Sequence, residues 1–548
     1  MNEMRFSSGR LAAVLFLAVG CAGAMSANKR SPGVIENSAF RPTRPANPNY
    51  GPDPSLACPE KGVSGVLQDN LDDAAKKSGK PAAQPDGRLC AFADTLLGWE
   101  KEETPPQGLL SFVSSYFGLP APVRRIVIQN MDTEEHRENP GAEYKDIAER
   151  LTDTLVNFAS TAVQPRYGLY TQRVKKAKGV QTKVVIAMLD QSVELDPFPR
   201  RMELGAQSTL SGRLLGALEN PKVQYTDLSG KLEVPKIPEG KSFKVDIKCG
   251  DKPGVIPIQI LGGEKGALTQ LANFPVACGT ALATSAPLVE PPKGPVDPAQ
   301  AEAKVLELMN ADRTAAGLKP LAGEKDLANV ARGLSERRAK GLSISSADLA
   351  EGLKTSGISS PLVLESAAQA TTAEEAYERF TSNPTDRSYA LNKDITHVGI
   401  GVIKGPELGG KPSIIVTELF VKQLPPMDVK ALRAKLHTEV ARKRADARAP
   451  ALAKDPMLEE LAQKMAEEMA AAHGNLPKAR QSELEAPLYK AFRTVNILGG
   501  IKSDPLEFAE EPGVVGTAKV IGIGVAQGTS TQFGKNSAFV VMFIGARR

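Results

Sequence analysis

In the stretch Leu308-Met309-Asn310-Ala311-Asp312-Arg313-Thr314-Ala315-Ala316-Gly317-Leu318-Lys319-Pro320-Leu321, Met309 and Arg313 extend the spacing of Val305. Leu321 then leads into Leu327, Val330, Ala331 and Leu334. Apolar residues at i, i+3, i+4 and i+7 put each set on one helix face turned to a core. The segment closes with two strand-like runs, Val398–Val402 and Ile414–Phe420. Helices first and strands last describe an α+β unit.

The pattern occurs twice at a constant offset. Leu436, Val440, Arg444 and Leu452 precede Leu458, Leu461, Ala462 and Met465, and the closing runs are Ile521–Val525 and Ala538–Ile544. The glycines of Gly399-Ile400-Gly401 and Gly522-Ile523-Gly524 alternate within strands and do not open a helix. They predict close sheet packing rather than a phosphate loop.

Leu308–Leu321 resembles the opening of bacterial CAP-superfamily domains, the SCP-like domains shared with plant pathogenesis-related proteins and venom allergens. Residues 383–402 match that family's SPGHRxNIL…THVGVGV stretch without a gap, through Pro384, Arg387, Leu391, Asn392, Thr396, His397, Val398, Gly399, Gly401 and Val402. Ile415-Val416-Thr417-Glu418-Leu419-Phe420 resembles the closing strand. In the second copy Val495-Asn496-Ile497-Leu498 resembles the NIL element and Ile521–Val525 the glycine-rich strand. The resemblance implies two tandem three-layer α-β-α sandwiches, CAP-like domain 1 over 300–424 and CAP-like domain 2 over 428–548. A third, worn copy lies upstream if Tyr144–Ser160, Tyr167–Tyr170 and Lys183–Asp190 are its helix and paired strands. The alternative there is an unrelated α/β domain.

Many CAP domains hold a divalent metal in a cleft of two histidines and two acidic residues, where a bound water can be activated. Carried over position by position, the first histidine falls on Leu334 and Met465. The second, in the GHR triplet, falls on Asp386 and Arg493, and the family's GEN glutamate corresponds to Glu365. One glutamate and one aspartate do not make a histidine metal site, so no cofactor is expected. The low-ranking alternative is an oxygen-rich Ca²⁺ or Mg²⁺ site on Glu365 and Asp386. Otherwise both are solvated residues lining a shallow groove.

His397 is expected to make a hydrogen bond that fixes the entrance of the buried strand. His437 is expected on a solvated face, His473 at a helix end and His136 in a charged surface loop. No GxSxG elbow and no HExxH helix occurs, so no catalytic residue is assigned.

The remaining chain sets the context. With 548 residues, 41% hydrophobic and 24% charged, it is too long for one core, and three or four domains are expected. The net charge of +5 is not gathered into a basic stripe, which argues against nucleic acid as a partner. Arg5 and Arg10 precede the apolar run Leu11–Gly20, the layout of a signal peptide. Leu17-Ala18-Val19-Gly20-Cys21 resembles a lipoprotein lipobox, with Ala18 where leucine is usual. Lipidation at Cys21 would anchor the chain to a membrane; the alternative is an ordinary signal peptide cleaved near Ala22–Ala24. Ala22 after the cysteine favours the outer membrane or cell surface.

In an oxidising compartment the other cysteines are expected as Cys58–Cys90 and Cys249–Cys278. The domain reading is therefore signal peptide 1–21, flexible tether 22–57, N-terminal α/β domain 58–201, β-sandwich-like module 202–279 and Pro-rich linker 280–299, before the two CAP-like domains. The expected function is a non-catalytic cell-envelope lipoprotein binding a protein, glycan or lipid. A metal-dependent hydrolase and a purely structural spacer are the alternatives.

Overall fold

The computed structural model describes residues 34–548 apart from 100–104, 122, 124, 134–139, 176–179, 265–267, 290–295, 409 and 425. Cys21, the signal peptide and His136 lie outside the described residues. The chain is a mixed α+β protein of several sheets. Among the described residues no helix is long and apolar enough to cross a membrane.

The chain opens with β1 (Val34–Phe40) and β2 (Asn49–Tyr50). A first unit follows: α1 (Val63–Ser78), β3 (Gln84–Pro85), α2 (Gly87–Leu96), α3 (Gln107–Tyr116), β4 (Arg125–Thr133), α4 (Pro140–Ala159), β5 (Pro165–Lys175) and β6 (Val180–Asp190). Next come β7 (Val193–Leu195), β8 (Phe198–Pro199), β9 (Arg201–Met202), β10 (Gln207–Leu214), β11 (Glu219–Thr226), β12 (Leu232–Glu233), β13 (Ser242–Lys248), β14 (Gly254–Gly263) and β15 (Thr269–Cys278).

After β16 (Ala286–Val289) stands a middle unit: α5 (Pro298–Ala315), β17 (Ala322–Gly323), α6 (Lys325–Ala339), α7 (Ser346–Thr355), β18 (Val363–Ala370), α8 (Ala373–Ser382), α9 (Pro384–Ala390), β19 (His397–Leu408) and β20 (Lys411–Val421). The last unit comprises α10 (Val429–Asp446), β21 (Ala453–Lys454), α11 (Pro456–Ala471), α12 (Lys478–Ala491), β22 (Phe492–Ile501), two 3₁₀ turns (Pro505–Glu510 and Pro512–Val514), β23 (Val520–Ser530) and β24 (Gly534–Arg547).

The three units share one sheet plan: β3-β5-β6-β4, β17-β19-β20-β18 and β21-β23-β24-β22. In each, a two-residue strand runs parallel to the first arm of a hairpin, and a fourth strand pairs antiparallel with the second arm. The helix after the short strand starts on an acidic cap, Asp86, Glu324 or Asp455, whose carboxylate accepts free backbone N–H groups of the first turn. That helix lies directly on a glycine of the hairpin. A Cβ on Gly168, Gly399 or Gly522 would stand 2.0, 2.3 or 2.2 Å from the backbone of Leu89, Leu327 or Leu458. The alternating glycines therefore set how closely helix and sheet approach, as expected.

Apolar cores lie on both faces of each sheet. In the middle unit Met309, Phe380, Ile400 and Phe420 fill one face, and Leu327, Leu334, Leu419 and Val421 fill the other. The order also corrects the alignment of the last unit. Residues 495–498 are not a loop before the hairpin; they lie in β22 and pair with Asn496↔Ile544 and Ile497↔Phe543. Arg493 is consequently an exposed residue of an edge strand and does not occupy the GHR position.

Between the first and middle units, a three-stranded sheet (β13-β10-β7) packs on a five-stranded one (β12-β11-β14-β15-β9) around Leu210, Val245, Ile258 and Phe274. This sandwich starts at Val193 rather than 202, because β7 pairs with β10 and β9 with β15. Cys249–Cys278 joins the ends of β13 and β15, and Cys58–Cys90 ties α2 to the segment before α1.

The segment read as tether is partly built into the fold. Tyr50 is fully buried, its ring centroid 4.4 Å from that of Phe274 and its hydroxyl donating to Pro275 O at 2.6 Å. Arg44 pairs with Asp94 at 2.6 Å. The linker region is likewise engaged, since β16 pairs with β1.

Candidate functional site

The family positions of the middle unit are built from α6, β18, α9 and β20. Successive strand residues face opposite sides of a sheet. Ser366 pairs with Glu418 in the register, and Glu365 with Leu419. Ser366 and Glu418 therefore share the face on which α5, α8 and α9 pack. Glu365 faces α6.

On the α6 side Arg338 donates to Glu365 and, at 3.0 Å, to Thr417 Oγ1. Ser335 Oγ donates to Thr417 Oγ1 at 2.7 Å. Leu334, at the first histidine position, is 4% exposed in the apolar core beneath. Its side chain offers no donor atom.

On the other side Ser366 Oγ donates to Asp386 Oδ1 at 2.9 Å. Burial and then the nearby Glu365 charge push the Asp386 carboxyl up to about 6, against the opposing effect of the Ser366 bond. Glu418 is completely buried, and neither of its oxygens accepts a hydrogen bond. Burial, with a contribution from Asp386, raises its carboxyl well above the ordinary range. Glu365 and Asp386 thus lie near one another but have different hydrogen-bond partners, Arg338 and Ser366. Among the described residues no three His, Cys, Asp or Glu side chains are grouped to hold a metal ion.

The helix that carries Asp386 is also occupied. Gln224 Nε2 of the sandwich donates to Thr385 Oγ1 at 2.9 Å, and Thr226 Oγ1 donates to Pro384 O. Pro384 is buried and Asp386 half-buried at this junction. The face opposite the sheet is closed by protein.

His397 stands at the start of β19 with Nδ1 2.8 Å from Thr396 Oγ1, and Thr396 N donates to Val421 O. Burial lowers the basicity of His397, with Glu324 opposing and Lys535 of the last unit assisting. His437 departs from expectation: its side chain is 12% exposed and its Nε2 lies 3.1 Å from Glu459 Oε1. His473 ends α11 at φ 52° with Nδ1 2.9 Å from Thr529 O.

Sequence reasoning missed Glu418, Arg338 and Gln224. Glu418 had a legible signal, being the one charge inside the apolar run 414–421. The partners of Arg338 and Gln224 come from distant segments and carried none.

The family model described as CAP, Cysteine-rich secretory protein family, matches residues 306–420. Among solved structures, the chain is similar to an extracellular protein containing a SCP domain from Bacillus anthracis, at 17% identity and TM-score 0.21. That match covers 31% of this chain and 66% of the other. A cysteine-rich secretory protein from Staphylococcus aureus is similar at 12% identity and TM-score 0.22, covering 46% of this chain and 65% of that one. The chain thus spans slightly under two thirds of the length of either protein. No curated protein matches. The match to the cysteine-rich secretory protein (CAP) family is thus a domain match, confined to residues 306–420.

Proposed function

We propose that this protein is an exported, non-catalytic cell-envelope lipoprotein, anchored through Cys21, whose CAP domain and its neighbours form a binding module. The observation that carries this reading is the filled cleft position. Leu334 is core, Glu365 is bound by Arg338, and Asp386 sits under the docked sandwich. Catalysis by a metal-activated water needs open coordination sites and convergent ligands, and here the carboxylates have other partners. The last unit repeats the sheet order of the CAP domain, which supports reading it as a second, worn copy. The first unit repeats it too and supports the third. Export is supported by Arg5 and Arg10 ahead of the apolar run Leu11–Gly20.

The test is metal content by native mass spectrometry with thermal shifts in added Zn²⁺, Ca²⁺ or Mg²⁺. We expect no stoichiometric ion and no shift. A bound ion lost on Glu365→Ala or Asp386→Ala overturns the non-catalytic reading. Membrane association that is lost on Cys21→Ser tests the anchor.

A further inference from the structure

Where the first unit meets the sandwich there is an open crevice of about 440 Å³, with Phe158 of α4, Met188 and Leu189 of β6, and Leu271 of β15 among its walls. Its volume falls in the range of small-molecule sites, which favour junctions between modules. The register sets this corner apart from the same corner of the middle unit. The pair Leu364↔Phe420 seals that corner of the middle unit; the first unit has Arg125↔Met188 at the same step of the same strands. An arginine stands where the sister unit places a leucine.

Arg125 is exposed, its guanidinium 5.2 Å from the centroid of the Phe158 ring, and it forms no ion pair among the described residues. A cation stacked on an aromatic at the mouth of an apolar slot is chemically complementary to an anion with an apolar tail. Asp190, the acid in the lining, has its Oδ1 held by Val163 N and Gln164 N, each at 2.9 Å. Gln270 Oε1 is likewise engaged, by Gln259 Nε2. Arg125 is the cation of the lining, and the one to meet an anionic ligand.

We propose that this crevice binds a carboxylate with an unbranched apolar tail, the head on Arg125 and the tail along Phe158, Met188 and Leu271. The proposal rests on the reading of the protein as a binding module and adds a site outside the CAP domain. It is tested on the full mature chain by calorimetry with dodecanoate and its neutral twin dodecanol. We expect one dodecanoate per chain, bound at least about tenfold tighter than dodecanol, a difference of about 1.4 kcal/mol. Arg125→Leu, which copies the middle unit, erases that discrimination, and Arg125→Glu transfers the preference to dodecylammonium. The charge reversal guards against misfolding, since an unfolded variant acquires no new preference. Equal binding of dodecanoate and dodecanol, no binding of either, or discrimination that survives Arg125→Leu overturns the proposal. None of these variants touches residues 306–420, so their failure leaves the metal tests of the CAP domain standing.

Discussion

The middle and last units share a sheet plan, an acid-capped helix laid on a hairpin glycine, and a buried arginine. They differ in what lies inside. Arg313 and Arg444 are each 1% exposed and fasten the first helix to distant loop carbonyls. Arg313 donates to Lys319 O, Ala390 O and Asn392 O, and Arg444 to Pro450 O, Val514 O, Gly516 O and Ala518 O. At the register positions of Glu418, Thr417 and Glu365, however, the last unit has Met542, Val541 and Ile497. The first unit has Ile186, Val185 and Ile126 there. The frame tolerates either interior. A polar interior in one unit of three is therefore not a requirement of the fold.

The largest expected effect probes what is common. Arg313→Ala and Arg444→Ala each leave several buried carbonyls without a donor, and each should cost its own unit about 3 kcal/mol or more. Hydrogen exchange resolved by unit checks this, and loss confined to one of the two would break the equivalence. The first unit, which has Ala75 at the corresponding place after Leu67 and Leu71, should be unaffected.

Glu418→Met gives the middle unit the residue of the last. Removing a buried carboxyl that accepts no hydrogen bond should stabilise by about 1–3 kcal/mol, read as a rise in Tm of the middle unit at pH 7. A fall in Tm would show that the carboxyl holds this unit together.

Asp386→Asn carries a pH signature. The carboxyl titrates at about 6 when folded and near its ordinary 3.8 when unfolded. The folded state therefore binds the extra proton between those values, and wild-type stability should fall as pH rises from about 4 to 6 and stay level above. The variant should lack that slope and be more stable at pH 7 by about 1–2 kcal/mol, discounting for partial exposure. Denaturation midpoints at pH 4, 5, 6 and 7 decide it.

The smallest effect is expected for Arg338→Met, which copies Met469 of the last unit. Loss of a partly exposed ion pair should cost about 0.5–1 kcal/mol. If Glu365 is a residual metal ligand held in reserve, freeing it should create ion binding; we expect none by mass spectrometry.

How much of this was legible follows from where each signal resides. Helix faces and hairpins of the middle and last units were read from local periodicity, and both disulfides from cysteine count and spacing. The resemblance placed the middle unit's cleft positions at Leu334, Glu365, Asp386 and His397. It did not place their partners, because Arg338, Ser366, Gln224 and Thr385 are brought together by helix docking and by a separate module. The misplacement of Arg493 has the same origin. Val495-Asn496-Ile497-Leu498 matches a short family element by composition, and only strand pairing shows that it is an edge strand. Tyr50 sits in a stretch with tether-like composition, and nothing local announces that its ring completes a core two hundred residues away.

The sequence by itself determined the α+β units, the recurrence of their helix-then-hairpin pattern, and the glycines that let helix and strand touch. These are properties of neighbouring residues and of spacing along the chain. The tertiary structure alone decided that Glu365 and Asp386 take different partners, Arg338 and Ser366, that Glu418 is buried without a hydrogen-bond partner, and that α9 is capped by the sandwich. It also decided that a crevice with an arginine at its mouth opens in the first unit. Each depends on which face of a strand meets which distant surface, and on the dielectric that burial creates there.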